Sequence, residues 1–160
     1  MLKAPAPRMN YAHLNKHAGK EVAGLLAMSE AIAHSGLEKE LLELVKIRAS
    51  QINGCSFCLQ MHTSDARKIG MSEERLSLVA GWHEAPVYSE RERAALAMTE
   101  SITLIAGHHG VPDETYNEAA SVFSEAELTH LVAAIVNINA WNRFAITYRF
   151  APQVATAKAA

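Results

Sequence analysis

The sequence predicts an all-α fold of about seven helices joined by short connections. Three observations lead there. Apolar residues recur at helical spacing, as in Leu41, Leu42, Leu44, Val45, Ile47 and Ile52, between glycine, proline and Asn-Gly breaks. Two capping boxes, Ser89-x-x-Glu92 and Ser124-x-x-Glu127, mark helix starts. No stretch of any length shows the alternation of a strand.

Residues 1–9 hold two of the five prolines and read as an extended N-terminal arm. The remainder, 10–160, reads as a single helical domain. A first helix is expected from about Asn10 to His34, weakened by Gly19 and Gly24 and ended by Ser35-Gly36. Glu38 to Asn53 forms the second, with acids early and Lys46 and Arg48 later, as the macrodipole prefers. Asn53-Gly54 stops it, and Cys55 to Lys68 follows as a third helix, closed by Gly70. Ser72-Glu-Glu-Arg opens a short helix to about Gly81, and a loop follows from Trp82 to Tyr88. The capping box at Ser89 opens a helix to about Ala106, and Gly107-His-His-Gly110 reads as a turn. Pro112-Asp-Glu suits a helix start. From Ser124 a long last helix runs to about Tyr148. Its apolar residues lie on most sides, so it is expected to be the buried central helix. It carries Asn137, Asn139, Trp141, Asn142 and Arg143. Buried amides among these need partners on other helices or another subunit.

Bulk composition narrows the function. At 160 residues, with 49% hydrophobic and 20% charged residues, the chain can bury a core of its own. A net charge of −2 gives no reason to expect nucleic acid or an anionic membrane as partner. The N-terminus lacks the apolar core of a secretory signal, and the longest apolar run, Leu131 to Val136, is too short to span a bilayer. A cytoplasmic protein is the expectation. In a reducing compartment, cysteines at C-x-x-C spacing point to redox chemistry or metal binding over a structural staple.

Both cysteines, Cys55 and Cys58, stand at the start of the third helix, with His62 one turn beyond. At about 100° per residue the three fall within roughly 60° of one another. The helix N-terminus stabilises a thiolate, and by that argument alone Cys55 would be the more acidic thiol. Glu43 lies on the preceding helix, where an antiparallel return could bring it alongside. Three readings stay open on spacing alone. The pair can cycle between dithiol and disulfide, with His62 as base for Cys58. Alternatively, Cys55, Cys58, His62 and Glu43 can ligate zinc, although structural zinc sites draw on two separated ligand pairs. The third reading is two core cysteines and a surface histidine. The other histidines, His13, His17, His34, His83, His108, His109 and His130, carry weaker signals, and the His108-His109 pair is a poor metal candidate.

With these residues the sequence resembles the alkylhydroperoxidase D-like (AhpD-like) branch of the carboxymuconolactone decarboxylase superfamily. The family pattern is an acid, a cysteine twelve residues on, and C-x-x-C-x-x-x-H; Glu43, Cys55, Cys58 and His62 fit it without a gap. The words around the motif, Glu90-Arg-Glu-Arg-Ala-Ala-Leu-Ala and Ile138-Asn-Ala-Trp-Asn-Arg143 are also similar to the family, over about residues 20–148. The resemblance implies a helical fold that assembles into homotrimers or homohexamers. It also implies a peroxiredoxin-type thiol peroxidase acting on hydroperoxides in antioxidant defence, with no bound metal or tightly bound cofactor. In that scheme Cys58 attacks the peroxide, Cys55 resolves the sulfenic acid to a redox-active disulfide, and His62 and Glu43 move the proton. An external dithiol, a lipoylated protein in the best-studied branch, then reduces the disulfide. That branch has a second histidine inside the C-x-x-C pair, where this chain has Phe57. Phe57 is expected to point off the shared face and to pack against a neighbouring helix or subunit. The alternatives are a zinc-binding or redox-sensing helical module without enzymatic activity, and a cofactor-free decarboxylase-like enzyme. The decarboxylase branch, however, usually lacks the cysteine pair.

Overall fold

The computed structural model describes residues 5–153, and among them there are helices and loops but no strand. Nine α-helices follow in order: α1 (Tyr11–His17), α2 (Gly19–Ala33), α3 (Lys39–Asn53), α4 (Ser56–Lys68), α5 (Glu73–Leu78), α6 (Glu90–Thr103), α7 (Ile105–His108), α8 (Asp113–Val122) and α9 (Glu125–Tyr148). The all-α expectation holds, with two boundaries moved. The expected first helix breaks at Ala18, just before Gly19, into α1 and α2. The expected helix from Ser89 ends at Leu104, and a further short helix, α7, takes in Gly107 and His108 of the expected turn. Both predicted capping boxes form: Ser89 and Ser124 accept from the N–H groups of Glu92 and Glu127, three residues on, while the side chains of Glu92 and Glu127 reach back to the cap N–H.

The central element is α3 rather than the last helix. It packs against α4, α6 and α9, and its Leu41, Leu44, Val45, Ile47 and Ala49 are all buried. The apolar α9 buries one face on α3, α2 and α6, yet leaves Val136 48% and Ile146 42% exposed. More apolar side chains on α9 than the core can cover explain the difference, because patterning reports apolarity and not which neighbour covers it. The α2 helix shows the same excess. Only Val22 and Ile32 of its fifteen residues are buried, and Leu26 is 48% exposed.

The turn from α3 into α4 fixes where the cysteines sit. Gly54 adopts φ +71°. The Cys55 N–H donates to Ser50 O and the Gly54 N–H to Gln51 O, closing α3 with a paired 6→1 and 5→2 cap. A polar network braces this turn from α9: Asn53 Nδ2 donates to the Oδ1 atoms of Asn139 and Asn142, both at 2.9 Å. Asn142 Nδ2 donates to Ser50 Oγ, and Asn139 Nδ2 to Thr103 Oγ1 on α6. The buried amides of the last helix thus face other helices, as expected. Nothing lies within 4 Å of where a Cβ at Gly54 would stand, so only the left-handed backbone opposes a side chain there. Gly54→Ala is expected to cost about 1–2 kcal/mol, lowering the midpoint of thermal or denaturant unfolding while leaving the helical circular dichroism unchanged.

The same cap geometry ends α9. Arg149 adopts φ 54°, Phe150 N–H donates to Ala145 O, and the chain turns so that Phe150 is buried beside the cysteines. The described part of the N-terminal arm runs to the same place, where Arg8 and Met9 donate their N–H groups to Tyr148 O. Residues 1–4 of that arm lie outside the described residues.

Candidate active site

Cys55 is the N-cap of α4 and not its first helical residue. Its Sγ accepts from the Cys58 N–H at 3.3 Å, and its backbone is extended. Cys58 lies in the first turn, 5.4 Å away between Cα atoms, and the two sulfurs are joined as a disulfide. Both residues are buried, among Leu14, Val22, Ala145 and Phe150.

One turn on, His62 is buried and meets Glu43 from α3. The antiparallel return brings them together across nineteen residues, with His62 Nδ1 donating to Glu43 Oε2 at 3.0 Å. That bond places the ring proton on Nδ1 and leaves Nε2 free for proton exchange. The other carboxylate oxygen, Oε1, accepts from Lys46 Nζ at 2.8 Å. Burial pushes the Glu43 carboxyl upward, but the hydrogen bond from His62 and the charges of Lys46 and His62 outweigh it. The net result is a carboxyl below its usual value of 4.5. Glu43 is therefore ionised throughout the neutral range and holds the imidazole by charge as well as geometry.

A cavity of about 360 Å³ opens beside these groups, within the size range of small-molecule sites. Cys58, His62 and Lys46 border it, whereas Cys55 does not. The rest of the wall is mostly apolar, with Trp141 from α9 and Phe150 contributing rings. The arrangement places Cys58, next to an oriented imidazole, at a largely apolar cavity, and keeps Cys55 off its wall.

The four residues singled out in the sequence, Glu43, Cys55, Cys58 and His62, thus form one cluster. Phe57 packs edge-on against Phe150, with centroids 5.6 Å apart, so the expected aromatic contact is present. It also borders the cavity, which corrects the expectation that it points wholly away from the site. Sequence reasoning missed Lys46 as a site residue, although its position three residues after Glu43 was a usable signal. It also missed the cavity roles of Asn137, Trp141 and Phe150, which depend on how α9 and its end meet α4. His13, His17, His34, His83 and His109 are exposed and lie outside the cavity wall, and the half-buried His130 also lies outside it. Among the described residues, no group of three or more His, Cys, Asp or Glu side chains is arranged to hold a metal ion. No helix there is long and apolar enough to cross a membrane.

Residues 21–101, which include the whole acid–cysteine–histidine cluster, match the carboxymuconolactone decarboxylase family. The chain belongs to that family. Within it, this AhpD-like chain is 43% identical over 122 residues to the uncharacterized protein YdfG of Bacillus subtilis, spanning 76% of this chain and 82% of YdfG. A crystal structure of an Agrobacterium tumefaciens protein of unknown function, provisionally assigned to antioxidant defence as AhpD, superposes with a TM-score of 0.87. It shares 37% identity, and the match covers 94% of this chain and 100% of that one. The debrominase Bmp8 shares the AhpD-like fold, with a TM-score of 0.76 at 15% identity over 95% of this chain and 93% of its own.

Proposed function

We propose that this AhpD-like protein is a thiol peroxidase that reduces hydroperoxides by a dithiol–disulfide cycle in antioxidant defence. The AhpD-like fold also serves a debrominase, so fold alone does not select the reaction. The observation that carries the reading is the placement of the cysteine pair. Cys58 borders the cavity beside the Glu43–His62 pair, and Cys55 stands behind it within disulfide reach.

Those positions support the following cycle. The Cys58 thiolate attacks the terminal oxygen of a hydroperoxide. The O–O bond breaks, Cys58 becomes a sulfenic acid, and the alkoxide leaves with a proton delivered through His62 Nε2. Cys55 then gives up its thiol proton and attacks Cys58 sulfur; the S–S bond forms, the S–O bond breaks, and the hydroxide takes that proton to leave as water. An external dithiol, such as a lipoyl group, restores both thiols and is itself oxidised to a disulfide. Glu43 orients His62, and the His62 hydrogen bond together with the Lys46 charge keeps Glu43 ionised. The reaction needs no bound metal or tightly held cofactor. Incubating the reduced protein with cumene hydroperoxide and dihydrolipoamide tests the reading. Catalytic loss of hydroperoxide supports it, and a rate equal to that of dihydrolipoamide alone contradicts it.

Phe57 sets the reductive half of this cycle apart. It supplies no ionisable neighbour for Cys55, so that thiolate has one fewer source of stabilisation than in the branch with a histidine there. Phe57→His is expected to speed reduction of the disulfide by a dithiol and to leave the reaction of Cys58 with hydroperoxide nearly unchanged. Stopped-flow measurement separates the two half-reactions, and acceleration of the peroxide step instead would sink this reading of Phe57.

The proposal extends to assembly. The half-covered α2 and the exposed Val136 and Ile146 of α9 support a homotrimer or homohexamer, because exposed apolar surface on this scale marks contact regions. Light scattering at micromolar concentration is expected to give a multiple of three chain masses, and a monomer mass would refute it.

A further inference from the structure

Asn137 carries an unmet acceptor in the cavity wall. The residue is 4% exposed. Its Nδ2 donates to Ser29 Oγ at 2.8 Å and to Leu25 O at 3.4 Å. Ser29 Oγ donates to the same Leu25 carbonyl at 2.9 Å, so a small clamp on α2 holds the amide with its nitrogen toward that helix. The Oδ1 atom is buried and accepts from nothing among the described residues. Buried carbonyl oxygens without a donor are uncommon, because leaving one unmet is costly. Asn137 and Ser29 both border the cavity, so a small molecule held there is the nearest candidate to bring a donor to Oδ1.

Its distance from the disulfide gives the acceptor a role. Ala145 packs with Cys55 and Cys58, and Asn137 precedes it by eight residues on the continuous α9, about 12 Å along the helix axis. The cavity between is walled by apolar side chains, among them Ile32, Ile138 and Trp141. We infer that Asn137 Oδ1 is a specificity-determining contact for the end of the ligand remote from Cys58. The cavity takes a mainly apolar small organic molecule that presents a hydroxyl or N–H donor at that end. Naming this ligand a substrate rests on the peroxidase reading; its recognition by Asn137 does not. A site with a buried acceptor rejects an analogue that lacks the donor far more strongly than an apolar wall distinguishes shapes.

Indole and benzofuran share a shape and differ in the N–H, so they isolate the contact. Calorimetric titration of the oxidised full chain with each is expected to show indole bound about tenfold or more tightly. Asn137→Leu is expected to bring the two affinities together, and Asn137→Asp, which keeps an acceptor, to preserve the preference for indole. Equal affinities in the unaltered protein overturn the inference, and so does a preference that survives Asn137→Leu. Binding of neither compound at its solubility limit also overturns it, leaving the cavity to be covered by a second copy of the chain. The comparison on the unaltered protein stands alone if the leucine variant does not fold. The closed disulfide does not turn over, so the titration is read independently of catalysis. An inactive protein that still prefers indole would sink the peroxidase reading alone.

Discussion

Cys58→Ser is expected to abolish catalytic hydroperoxide consumption, a loss of about 10³-fold or more, because no other thiol borders the cavity. Cys55→Ser is expected to behave differently. It should consume one hydroperoxide per chain and stop, with the product trapped as a sulfenic acid that a dione reagent captures. The difference follows from position. Only Cys58 borders the cavity, while Cys55 caps α4 with its sulfur turned toward the Cys58 N–H. The helix dipole favours Cys55 as the more acidic thiol, so the dipole and the cavity give opposite assignments. Access decides between them, since a thiolate that cannot reach the peroxide does not react with it. A single turnover in Cys58→Ser and none in Cys55→Ser would reverse the assignment.

Glu43→Gln is expected to slow the peroxide step by about 10²-fold or more, the range lost with a general acid–base path. The amide can still accept from His62 Nδ1, so the geometry survives while the charge does not. The variant therefore measures what the carboxylate charge contributes. The same substitution has a signature in stability. The folded Glu43 carboxyl lies below its usual 4.5, so its ionised pairing stabilises the fold fully above that value. This contribution is lost as pH falls through the lowered folded pKa. Unfolding midpoints of the unaltered protein and Glu43→Gln should differ at neutral pH and converge in acid. A gap that widens in acid would contradict the ion-pair account, and an unchanged peroxide step would remove Glu43 from the mechanism.

Much of this site was legible in the sequence because its signals are local. Asn53-Gly54 announces a left-handed cap, the C-x-x-C spacing sets one helical turn, and His62 follows one turn later on the same face. The approach of Glu43 followed from a single antiparallel return between consecutive helices, so it too was readable. The limits appear where distant elements meet. The break at Ala18 falls where the backbone leaves helical geometry just before Gly19, and periodicity does not register that. The centrality of α3 was hidden because α9 is the more apolar helix, while α3 carries its charges on faces that reach Glu100 and His62. The cavity is a product of α2, α4 and α9 together. No sequence signal within α9 showed that the Asn137 amide would clamp to Ser29 across more than a hundred residues.

The central claim is that one hydroperoxide oxidises one cysteine pair. A rapid-quench count of free thiols on the reduced protein, before and after one equivalent of cumene hydroperoxide, measures this directly, alongside elemental analysis of protein purified without chelator. The account predicts two thiols lost per chain, one alcohol formed, and no stoichiometric metal. Thiols that stay free and unreactive, with one zinc per chain, would contradict it and favour the metal-binding module instead.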